Sequence, residues 1–166
     1  MANKQNFTPE EWTKVLESMM LAGMAVSAAD PSGLWGTMRE ALAGRTAIAG
    51  AKSRLTSNEL IKAVIAELDT KEGRSSIQKA LETRIAGATS AEIVQRSLEN
   101  LREVAAILNA KAPGDAADFK AWLEGISRQV AEASTEGGVL GIGGVRVSDA
   151  EKATLADIEK ALGTTA

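Results

Sequence analysis

Any chemistry this chain performs must be done without histidine and without cysteine, because the sequence contains neither. Histidine is the side chain whose unperturbed pKa lies between pH 5 and 8, and it is the commonest metal ligand. Cysteine supplies the thiolate that serves as nucleophile or soft metal ligand. Their joint absence leaves carboxylates, lysines, arginines and hydroxyls to move a proton or hold an ion. Three close carboxylate pairs stand out: Glu10 with Glu11, Asp115 with Asp118, and Asp149 with Glu151. Two acids suffice for glycoside hydrolysis. Each of these pairs, however, falls at a predicted helix start, where the positive end of the helix dipole already accounts for negative charge. No catalytic constellation emerges, and an enzyme is not expected.

The second candidate is the run Glu136-Gly137-Gly138-Val139-Leu140-Gly141-Ile142-Gly143-Gly144-Val145-Arg146-Val147. Glycines let backbone N–H groups approach an anion, and this run leads into a helix N-terminus, which favours negative charge. A dinucleotide fingerprint needs a strand before the glycines and a βαβ unit around them. Here a predicted helix precedes them, and the Gly-Lys-Ser/Thr ending of a phosphate loop is absent. Gly143-Gly144 between two short apolar segments reads as a two-residue hairpin turn; a ligand-binding loop is the alternative. Arg146 either faces water from the hairpin edge or pairs with an anion. A calcium loop would need acids or amides at alternate positions before its terminal glutamate. The stretch before Glu151 offers valine and glycine instead. No metal and no cofactor are expected.

Met19, Met20, Met24, Trp35 and Met38 form a methionine-rich group, which suits an adaptable surface for a partner helix as well as a plain core. Arg45, Lys52 and Arg54 lie in an acid-free stretch between Ala41 and Asn58. They read as a solvated face or a contact for an acidic partner, and no aromatic residue interleaves with them to stack bases. A net charge of −3, from 22 acids against 19 bases, is too balanced for a protein that holds a phosphate backbone. The first residues lack the apolar core of a signal peptide, and no apolar run is long enough for a membrane span. A cytoplasmic location is therefore expected.

These groups must be held by helices. The apolar content is 45% and the aromatic content 3%, a balance that suits close-packed helices better than strands. Thr8-Pro9-Glu10-Glu11 reads as a capping box with proline at the first helical position, and Phe7 and Trp12 stand as a hydrophobic staple around it. Trp12, Val15, Leu16, Met19, Gly23 and Val26 then trace one helical face, and Asp30-Pro31 ends it. Leu34, Trp35, Met38 and Leu42 suggest a second helix; residues 45–55 are ambiguous. Further helices are expected after a box at Thr56–Glu59, after a cap at Ser75 or Ser76, after Thr89–Glu92, after Asp115, and after Ser148–Glu151. Gly73, Gly87, Pro113-Gly114 and Gly163 punctuate them. The expectation is an all-α bundle of about seven helices in a single domain over residues 1–166, with a tiny β-hairpin near residues 139–147.

The segment Val145-Arg146-Val147-Ser148-Asp149-Ala150-Glu151, followed by Leu155, Ile158 and Leu162, resembles the second half of the helix–loop–helix unit of TerB-like tellurite-resistance proteins. Val147, Ser148 and Glu151 match the aliphatic, cap and glutamate positions of that pattern. Gly144 and Val145 stand where the family has an acid and a glycine, so no metal site is carried over. The resemblance implies a small helical, often bacterial, fold and a stress-related context. Together these readings favour a non-enzymatic interaction or scaffolding protein that self-associates or docks a protein partner, without nucleic acid. The candidate surface is Met20, Met24, Trp35, Val139, Leu140, Ile142 and Arg146. The alternative is a bundle that binds a small ligand in an apolar pocket.

Overall fold

A computed structural model of the chain describes residues 2–29, 58–136 and 147–164. After a single 3-10 turn, Lys4–Asn6, come α1 (Pro9–Ala29), α2 (Glu59–Asp69), α3 (Lys71–Ile85), α4 (Ser90–Lys111), α5 (Pro113–Glu136) and α6 (Asp149–Leu162). The all-α class is as expected, and there is no strand among the described residues. Six α-helices are described against the seven expected. The helix predicted from Leu34 to Leu42, the ambiguous stretch 45–55 and the hairpin near 139–147 lie outside the described residues.

The first helix begins as its sequence dictates. The Thr8 hydroxyl accepts the Glu11 N–H at 3.2 Å, and the Glu11 carboxylate accepts the Thr8 N–H at 2.7 Å. The staple closes over this box, with the Phe7 and Trp12 ring centroids 5.7 Å apart. Reciprocal boxes also open α4 at Thr89 and Glu92 and α6 at Ser148 and Glu151. Gly87 and Gly163 end α3 and α6 with φ of 66° and 68°, in the left-handed region that glycine enters at no steric cost.

Three boundaries differ from the sequence reading. Asn58, not Thr56, caps α2 by accepting the Ile61 N–H. α4 stops at Lys111, just before Pro113 as expected, but Pro113 is also the first residue of α5, so Asp115 lies inside the first turn rather than capping it, and its carboxylate accepts the Ala2 N–H at 2.7 Å. The cap of α3 is Thr70 rather than Ser75 or Ser76. Its hydroxyl donates to the Glu67 carbonyl of α2 at 2.7 Å and accepts the Gly73 N–H at 2.9 Å. One side chain therefore closes α2 and opens α3. This corner brings Gly73 so close to the Glu67 carbonyl that a Cβ would collide with that backbone oxygen. Gly73 is thus a packing glycine within a helix, not a break.

α1 runs through the middle. From Val15 to Ala28 every residue but Met20 is buried. α4 lies antiparallel along it, as the contacts Glu11–Lys111 and Glu17–Asn100 show, and α5, α6 and α3 pack around the rest. The main core joins α1 to α2, α4, α5 and α6 through residues such as Leu16, Leu60, Leu101, Phe119, Leu123 and Ile158. A smaller cluster of Leu21, Met24, Ala28 and Ile93 lies apart from it. Ile93 is the buried residue at the start of α4, and Val94 beside it is half-buried. Ser127 of α5 reaches the Ala22 carbonyl of α1 at 3.1 Å, a contact that small residues on α1 permit.

Gly73→Ala is expected to destabilise the fold by about 1–3 kcal/mol, the usual cost of overpacking. Gly125→Ala, in the interior of α5 where a Cβ meets no atom within 4 Å, is expected to stabilise it by about 0.5–1 kcal/mol through helix propensity. Denaturant midpoints of the two variants check the contrast; equal effects of the same sign would contradict the corner geometry.

Candidate functional site

α1 is apolar on all sides beyond its first turns, and from Leu16 to Ala29 it carries one charged residue, Glu17. A helix surrounded on all faces buries whatever it carries, and the Glu17 side chain is only 3% exposed. The serines of the same helix satisfy themselves: Ser18 donates to the Val15 carbonyl at 2.7 Å and Ser27 to the Gly23 carbonyl at 3.1 Å. A carboxylate has no such local remedy, because burying an unpaired charge is costly.

Its partner comes from α3. Arg84 donates through Nε at 3.0 Å and Nη2 at 2.8 Å, both to Glu17 Oε2. The Asn100 amide of α4 approaches the same oxygen at 3.5 Å. Glu17 Oε1 accepts no hydrogen bond among the described residues. Arg96 of α4 donates to the Arg84 carbonyl at 2.6 Å, so the C-terminal turn of α3 is held by a cation, as its dipole favours. Asn100 and Ser97, one turn apart on α4, are both fully buried, yet Asn100 Oδ1 and Ser97 Oγ have no hydrogen-bond partner among the described residues.

The ion pair forms part of the wall of an open cleft of about 550 Å³ between α1 and α3. Thr13 and Glu17 line it from α1; Ser76, Lys79, Ala80, Thr83 and Arg84 line it from α3. Lys79 has no ion-pair partner among the described residues. Charged and hydroxyl-bearing residues rim this helix–helix seam, while most of the exposed lining of the cleft is apolar.

The residues singled out from sequence fall elsewhere. Met20 is half-buried and touches both apolar clusters. Met24 is 5% exposed and packs with Leu21, Ala28 and Ile93, so within this chain it is a core side chain. The reason is the same enclosure of α1, which covers residues off its main stripe as well. Trp35, Met38, Val139, Leu140, Ile142 and Arg146, with Arg45, Lys52 and Arg54, lie outside the described residues.

The acid pairs do separate structural work. Glu11 caps α1 and meets Lys111 at 2.6 Å; the Lys111 hydrogen bond, then that of the Thr8 N–H, hold its carboxyl below the ordinary range. Glu151 caps α6, and Asp149 faces Lys152. No group of three or more acids is arranged to hold a metal among the described residues, and no described helix is long and apolar enough to cross a membrane.

Comparison with family models, curated proteins and solved structures gives no match. The cleft therefore stands on its own geometry. Sequence reasoning missed it because Glu17 and Arg84 lie 67 residues apart. The available signal was the solitary charge in an otherwise uncharged helix.

Arg84→Met is expected to cost about 3 kcal/mol, the lower end for stranding a buried charge, since Arg84 itself is 26% exposed. The double variant Glu17→Met/Arg84→Met is expected to be more stable than Arg84→Met alone, because no unpaired charge remains. Urea denaturation of both variants measures this. Single costs that simply add in the double variant would show that the two side chains do not act as a pair.

Proposed function

We propose that this chain is a non-enzymatic helical binding module whose working surface is the cleft between α1 and α3. The observation that carries the reading is the ion pair in the cleft wall. A buried ion pair is a poor device for stability, since well-packed apolar residues of similar volume do as well or better. Placed at an open cleft beside an unpaired lysine, it supplies fixed charge for recognition. Glu17 Oε2 is already committed to Arg84, which favours holding a ligand over shuttling a proton.

The same reading includes the self-association expected from the sequence, with Met20 as its described contributor, and the segment 139–147, outside the described residues but for Val147, as a further surface. The TerB-like resemblance would place such a module in a stress-related context, and the cytoplasm is the compartment expected from the sequence.

The cleft is tested by filling it. Ala80→Phe, at a half-buried position in the cleft wall, is expected to keep the helical circular dichroism. It is expected to abolish the thermal stabilisation that any library compound gives the unaltered chain, about 2.7 kcal/mol at a hundredfold excess over Kd. Compounds that stabilise both proteins equally would place binding elsewhere. For self-association, sedimentation velocity across a range of concentrations is expected to show a species larger than one chain; a single-chain species throughout removes that part.

A further inference from the structure

We infer that α3 is a releasable strap. It unfolds as one unit while the rest of the bundle stays folded, the Glu17–Arg84 pair is its latch, and its release uncovers an apolar stripe of α1. This goes beyond the cleft reading, since it holds whether or not the cleft takes a ligand. Of the 15 residues of α3, Gly73 and Ile77 alone are buried. A helix of that length is marginal in water by itself, and Gly73, Ser75, Ser76 and Thr83 are weak helix formers. Its strongest attachments are polar and sit at its two ends. Arg74 reaches back to the Leu68 and Asp69 carbonyls at 3.3 and 2.7 Å. At the other end Arg84 holds Glu17, and Arg96 holds the Arg84 carbonyl. Water replaces such bonds on opening, so their loss costs little beside the loss of a packed core.

The neighbouring helices do not need α3 for their own ends. Thr70 closes α2 through the Glu67 carbonyl, and Thr89 with Glu92 opens α4. Beneath α3 lies one face of α1, because Glu17, Leu21, Met24 and Ala28 follow one another at helical spacing. Leu81 and Ile85 of α3 pack on the cluster that Leu21, Met24 and Ala28 form with Ile93. Arg84 stands three residues after Leu81, on the same side of α3, so one face carries both the latch and the apolar cover. The main core around α1 includes Ile77 from α3, with Leu81 at its edge, and is otherwise built from α1, α2, α4, α5, α6 and the first residues of the chain. Opening therefore hydrates Glu17 and bares Leu21 and Met24 while the main core keeps most of its packing.

The experiment follows amide hydrogen exchange in the full chain, under conditions where reclosing outpaces exchange. Residues 77–85 are expected to exchange at least about a hundredfold faster than residues 98–108 of α4. Ile158→Val, in α6 where it packs on α4, is expected to speed exchange in α4 about fivefold. It is expected to leave α3 unchanged, because its contacts persist when α3 is open. Arg84→Met is expected to speed exchange in α3 about a hundredfold, since only the open form hydrates the stranded Glu17. Lys14→Met breaks an α1–α4 pair, Lys14 with Glu103 at 2.7 Å, and is expected to leave α3 unchanged. The chain has no cysteine, so one introduced thiol reports the uncovered face. Leu21→Cys is expected to react with a thiol reagent as often as α3 opens, and Val104→Cys, in the main core, only on global unfolding. Exchange in α3 that rises together with α4 in Ile158→Val would overturn the strap. Exchange in α3 that ignores Arg84→Met would overturn the latch, and Leu21→Cys reacting as slowly as Val104→Cys would overturn the uncovered stripe.

Discussion

The constraint on which the rest depends is the enclosure of α1. Between Val15 and Ala28 this helix offers apolar or small side chains in every direction, so no single neighbour can bury it. Each fully buried Leu, Val or Met contributes about 1.5–3 kcal/mol relative to exposure. The demand is met only when α4, α5, α6 and α3 surround it. The amphipathic stripes of α4, α5 and α6 exist to face this axis, and the many alanines let them approach it. The enclosure also decides what happens to polar groups: those that can bond to their own helix, Ser18 and Ser27, do so. Glu17 must be answered from outside.

The answer fixes the position of α3. This helix buries only Gly73 and Ile77, with Leu81 and Ile85 half-covered, so apolar burial alone holds it weakly. Its register over α1 is set at two ends. At the start, the Thr70 corner and the missing Cβ of Gly73 lock it to the last turn of α2. At the finish, Arg84 meets Glu17 while Arg96 holds the Arg84 carbonyl. The ion pair adds little net stability, because the desolvation of two charges offsets most of their attraction. What it adds is a unique placement, since any sliding of α3 leaves Glu17 buried and alone. A segment with few buried apolar contacts belongs to the less stable part of a fold. A ligand bridging α1 and α3 would therefore have a large share of local stability to contribute.

How much of this was legible follows from the range of each interaction. The boxes at Thr8, Thr89 and Ser148 and the glycines at 87 and 163 are local chemistry, read within four residues and found as expected. The starts of α2 at Asn58, of α3 at Thr70 and of α5 ahead of Asp115 were not, because several neighbouring residues are competent caps and the choice among them is made by tertiary contacts. Thr70 prevails over Ser75 and Ser76 because only a start at Lys71 seats Gly73 against the Glu67 carbonyl. Asp115 looked like a cap and is instead an acceptor for Ala2, a contact across 113 positions. Glu17 was overlooked because an acid inside an apolar stripe looks like noise until the whole helix is known to be buried. The hydrophobic faces themselves were read well, since periodicity records burial directly. The cleft was not, since it consists of side chains from two helices that no local window contains.

The polar groups around Glu17 also differ in kind from other unsatisfied atoms in the core. Trp12 and Trp122 likewise leave a buried Nε1 without a partner among the described residues. Each, however, brings roughly 150–250 Å² of aromatic surface into the interior, worth more than the lost hydrogen bond of about 1–3 kcal/mol. Asn100 Oδ1 and Ser97 Oγ carry a cost of the same kind with no such area to offset it. Leucine or alanine at those positions would serve the packing of α4 on α1 better. Where local choices depart from what packing alone would select, and do so beside a buried charge that opens on a cleft, the departure is the kind that functional sites show. The arrangement is a polar seam in a bundle that stability alone would have made entirely apolar, and it is this departure that supports the proposed recognition surface.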